Sequence, residues 1–83
     1  MLHRYWFTFE QSASPSVLNL GCGVTAFDGK DAQKLVEDRV FPVFGARTIV
    51  SVAEDIDVQT IEEGHVRPNM GSPVVRGVWF PLV

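Results

Sequence analysis

Few side chains in this 83-residue chain can do chemistry, and they fall into three groups. His65, Arg67, Asn69 and Arg76 lie on or beside a stretch punctuated by Gly64, Pro68, Gly71 and Pro73. Cationic and amide groups on a loop stiffened by proline and glycine suit a small carboxylate or phosphate, because a rigid loop positions donors at low entropic cost. The competing reading has Arg67 answering Glu62 or Glu63 and Asn69 closing a local turn. The second group is acidic: Glu54, Asp55, Asp57, Glu62 and Glu63 fall within residues 54–63, where there is no base. Asp55, Asp57, Glu62 and Glu63, together with His65, could hold a hard divalent cation. Their spacing follows neither the calcium loop nor the His-Glu-x-x-His helix, however. The segment therefore reads as a solvated acidic surface with no metal ligands, open to docking by a basic protein partner.

Cys22, the only cysteine, is the third candidate. A nucleophilic thiol needs a lowered pKa and a group to orient its base. Alternation instead groups Cys22 with Leu18, Leu20 and Val24, an apolar set that predicts a packed core thiol. A lone cysteine also excludes an internal disulfide. No catalytic residue is assigned and no cofactor is implied.

These groups must be carried by a small framework. His3, Tyr5, Phe7 and Phe9 alternate with Arg4, Trp6, Thr8 and Glu10, which predicts a half-buried strand over residues 2–10. A polar loop around Pro15 follows, and alternation resumes over Val17 to Phe27, predicting a hairpin. Gly21 and Gly23 share one face of that second strand and mark a bulge, a bend, or bare backbone under a packed group. Asp28, with Asp31 three residues on, has the pattern of a helix N-cap. Ala32, Leu35, Val36 and Val40 then form one apolar stripe. Pro42 predicts the end of that helix at Phe41. Thr48 to Ala53 reads as a third strand, Val58 to Glu63 as a short helical turn, and Val74 to Phe80 as a fourth strand. The whole is one α+β domain spanning residues 1–83. It has a four-stranded, mostly antiparallel sheet in the order β-β-α-β-short α-β, with one principal helix packed on one face.

A net charge of −3 with scattered arginines argues against a nucleic-acid partner, which demands clustered cations. Apolar runs of only a few residues exclude a transmembrane helix. The start of the chain lacks the order of a secretory signal, so the expected setting is cytoplasmic. Nine aromatic residues are more than one helix can cover: Trp6 stands opposite Phe7 and Trp79 opposite Phe80. A second sheet face therefore needs a cover, from long loops or from another subunit, with Trp6, Trp79 and Phe80 as the candidate interface residues. The sequence thus points to a non-catalytic protein-interaction module that self-associates, most simply as a homodimer, through aromatic strand faces. The alternative is a small-anion site on the 64–77 region, with weak catalysis at most.

Overall fold

The computed structural model describes residues 1–11, 13, 16–57, 66 and 70–81. The strands are β1 (His3–Phe9), β2 (Cys22–Ala26), β3 (Ile49–Glu54) and β4 (Gly77–Phe80). All neighbours are antiparallel, and the sheet order is β3-β1-β2-β4. The expected α+β class and four-stranded antiparallel sheet with one principal helix are both present. Tyr5 pairs with Val24 and Phe7 with Cys22, so the alternating apolar residues of β1 and β2 meet on one face.

The helix lies across that face. Asp28 is extended and accepts the Asp31 N–H at 2.8 Å, while the Asp31 carboxylate reaches back to the Phe27 N–H at 3.1 Å. This reciprocal cap satisfies amides that the first turn leaves without partners. From it run α1 (Gly29–Leu35), a π-helical turn (Val36–Val40) and α2 (Phe41–Phe44). Ala32, Leu35, Val36 and Val40 are buried against Tyr5, Phe7, Phe9, Leu18, Cys22 and Val24.

Proline does not stop this helix as the sequence suggests. The Phe41 N–H bonds back to the Val36 carbonyl, five residues away, and the helix continues through Pro42 to Phe44. A proline ring collides with the carbonyl four residues before it in a regular α-helix. The wider π turn relieves that collision by shifting the bonding by one residue just ahead of the ring. Gly45, at φ 93°, makes the actual stop.

Two further boundaries differ from expectation. Val17–Asn19 is a 3-10 turn capped by the Ser16 hydroxyl, and strand pairing begins only at Cys22. Leu18 still reaches the core, because the turn swings it beneath the helix. In β4, pairing begins at Gly77 (φ 144°), and Val74 and Val75 are exposed. The predicted turn over residues 58–63 lies outside the described residues.

The second sheet face explains the two glycines. Trp6 lies over Gly21, and Trp79 lies over Gly23. A Cβ at residue 23 would stand 2.4 Å from the Trp79 ring, and one at residue 21 would stand 2.5 Å from the Trp6 ring. Gly23 pairs with Phe80 while Val24 pairs with Val78, so Trp79 is the extra residue of a bulge. The bulge turns consecutive residues to the same side, and both Trp79 and Phe80 join Trp6 there. The Trp6 ring centroid lies 5.9 Å from those of both Trp79 and Phe80. Val17, Ile56, Val66 and Met70 close over the group.

Two substitutions separate the roles of these glycines. Gly23→Ala drives a methyl into the Trp79 ring and is expected to cost on the order of 1–3 kcal/mol, the usual range for overpacking. Gly29→Ala meets nothing within 4 Å at the start of α1. It should be neutral or stabilise by up to about 1 kcal/mol. Urea unfolding followed by tryptophan fluorescence measures both.

Candidate functional site

Of the residues expected to form an anion site, only Arg76 is among the described residues. His65, Arg67 and Asn69 lie outside the described residues. Arg76 is committed elsewhere: its Nε donates to Asp31 Oδ2 at 2.9 Å, and its Nη2 donates to Asp31 Oδ1. The guanidinium also sits 5.7 Å from the centre of the Phe27 ring. This bidentate pair, helped by the Phe27 N–H, lowers the Asp31 carboxyl to a pKa of about 2 and raises that of Arg76. The contact ties the lead into β4 to the start of α1, so Arg76 reads as a structural clasp.

Cys22, on β2, is fully buried on the face covered by the helix, and burial pushes its thiol up to about 12. At neutral pH it is the protonated, unreactive form, as the apolar set around it predicts. Trp79 and Phe80, expected at an interface, are each 1% exposed within the single chain. The reason is the bulge together with the cover from residues 56, 66 and 70, so neither ring is available to a partner. Trp6 is half-buried beside them.

The open chemistry lies on the helix face, near the start of β1. The principal helix packs on β2 and β4. Beyond its edge is a groove of about 560 Å³ with Tyr5, Phe7 and Val52 at its base and Asp28, Lys30 and Glu54 on its walls. His3 stands at the rim, where its Nδ1 lies 2.7 Å from Asp55 Oδ1. Asp55 is the only non-glycine among the described residues at positive φ (55°). Its turn is pinned to β1 by two bonds: Arg4 Nε donates to the Ile56 carbonyl at 3.1 Å, and the Ile56 N–H donates to the Arg4 carbonyl at 3.3 Å. Antiparallel pairing of Tyr5 with Glu54 brings the third group alongside. One donor atom each from His3, Glu54 and Asp55 lies within 4.8 Å of the others.

Of the acidic segment, then, the structure selects Glu54 and Asp55 and supplies an imidazole from the far end of the sequence. Asp57 is engaged with other groups, and Glu62 and Glu63 fall outside the described residues. The sequence reading passed over His3 because it stands at the edge of the first strand, 52 residues from Asp55. The signal that could have found it was the pairing of β1 with β3, which sets the start of one strand beside the end of the other. The group can hold a proton or a cation. Tyr5 reflects the local field: burial first, then the carboxylates of Glu54, Asp28, Asp55 and Asp31, raise its phenol above the ordinary value.

No family model, curated protein or solved structure matches this chain.

Two measurements check these assignments. Cys22 should react with a thiol reagent only slowly in the native protein and rapidly in denaturant, because attack requires the thiolate. Asp31, with a folded pKa depressed below its unfolded value of 3.8, contributes stability that is present above 3.8 and lost as pH falls through about 2. Asp31→Asn should therefore be less stable than the parent at pH 7. The gap should narrow between pH 4 and pH 2 in chemical denaturation at each pH.

Proposed function

We propose that the chain is a non-catalytic interaction module that self-associates through the edge strand β3, a second copy adding its own β3 antiparallel to extend the sheet. The supporting observation is the composition and exposure of that edge. All residues of β3 after Ile49 are exposed, including Val50 at 64% and Val52 at 47%. Ile49–Glu54 contains neither proline nor lysine, the residues that commonly blunt an edge against pairing. The one irregularity, between Thr8 and Phe9, lies at the Ile49 end of the pairing, leaving Ser51 to Glu54 in regular register with β1. Those residues present an ordered row of backbone groups along the outer side.

This reading keeps the self-association expected from the sequence and moves it from the aromatic rings to the edge strand. Pairing β3 with its two-fold copy would cover Val52, at the base of the groove, as well as the strand edge. An anion site on the 64–77 region gains no support from Arg76, whose guanidinium is held by Asp31.

Light scattering after size exclusion tests the proposal. At tens of micromolar the parent chain should elute with twice its 9.2 kDa mass. Val52→Lys places like charges near the two-fold axis and should weaken the dimer at least tenfold, about 1.4 kcal/mol. A monodisperse parent monomer at that concentration would remove the proposal, as would a Val52→Lys variant that dimerises unchanged.

A further inference from the structure

We propose that His3, Glu54 and Asp55 form a binding site for one divalent transition-metal ion of the zinc class. The donor set selects the ion: an imidazole with two carboxylates suits zinc and its first-row neighbours, whereas calcium and magnesium prefer all-oxygen sites. Two ligands about 2.1 Å from one tetrahedral ion stand about 3.4 Å apart. His3 Nδ1 and Asp55 Oδ1, at 2.7 Å, are within a small side-chain shift of that spacing. Glu54 needs only a rotamer adjustment to close the third position, since the three donors already lie within 4.8 Å.

Charge points the same way. Among the described residues neither Glu54 nor Asp55 has a lysine or arginine partner, and Asp28 adds a further carboxylate on the groove wall. Among the described residues, Lys30 is the one lysine or arginine lining the groove, and the Arg4 guanidinium is directed to the Ile56 carbonyl. A second, independent feature is Tyr5, 3% exposed and lining the groove next to His3, their ring centroids 6.3 Å apart. Among the described residues nothing hydrogen-bonds its hydroxyl. With three protein ligands, the ion would complete its shell with water. A phenol beside the site can hydrogen-bond such a water as an outer partner. The backbone bonds between Arg4 and Ile56 hold the Asp55 turn against β1, so the carboxylate is placed before any ion arrives. This site does not depend on pairing at the β3 edge, and the two are measured separately.

Titration of the full chain with zinc chloride in chelator-free buffer, followed by calorimetry and by imidazole NMR, tests the site. The parent should take up one ion per chain, with the His3 ring signals shifting and those of His65 unmoved. His3→Gln, Glu54→Gln and Asp55→Asn should each weaken uptake at least tenfold, with far-ultraviolet circular dichroism unchanged, while His65→Gln binds as the parent does. The NMR arm reads the parent alone, so it stands even if a variant fails to fold. Absence of saturable uptake would overturn the proposal. So would uptake that shifts the His65 signals, or that survives His3→Gln and is lost in His65→Gln.

Discussion

Two indoles press against bare backbone in β2 and just ahead of it. Trp6 and Trp79 lie so near Gly21 and Gly23 that a single methyl at either glycine would occupy ring volume. Interiors packed to crystal-like density have no slack to absorb such a group. The second face of the sheet can therefore carry a thin aromatic layer. Trp6 spans from β1 across β2 to meet the rings of β4, and the layer fastens strands that are not all neighbours. With the helix on the other side, β2 is buried along its whole length, even at Thr25, whose hydroxyl donates to the Pro73 carbonyl.

That arrangement decides which surfaces remain open. The helix sits over β2 and β4 because its cap, its apolar stripe and the Arg76–Asp31 clasp all lie on that side. The aromatic layer is closed over by Val17, Ile56, Val66 and Met70. Among the described residues the β3 side stays open, with an edge strand carrying exposed valines and the groove beside it. Small domains bury a lower fraction of their surface than large ones, and an open edge is a common result. Both functional readings arise on this side: the strand edge as an association surface, and its Glu54–Asp55 end as a site for a cation.

Local chemistry accounts for most of what the sequence made legible. Alternation in β1 defines its two faces, and those faces hold at Tyr5, Phe7 and Phe9. Asp28 and Asp31 announced the helix start, and Ala32, Leu35, Val36 and Val40 announced the buried stripe. The candidate site was less legible. Glu54 and Asp55 stood out only as part of a longer acidic run, and His3 stood apart from it. Arg76 had the right chemistry for a ligand but was taken by a carboxylate from the helix.

The sequence by itself determined the class of fold, the apolar face of β1 and the helix, and the buried thiol, and it marked Gly21 and Gly23 as special positions, because each follows from residues within a turn or a strand of one another. Tertiary structure alone decided that the helix passes Pro42, that Trp79 and Phe80 turn to the same face, and that His3 meets Asp55. These depend on strand register and on how elements press together. A one-residue bulge or a shifted helical bond changes which groups touch, and nothing in the local pattern records it.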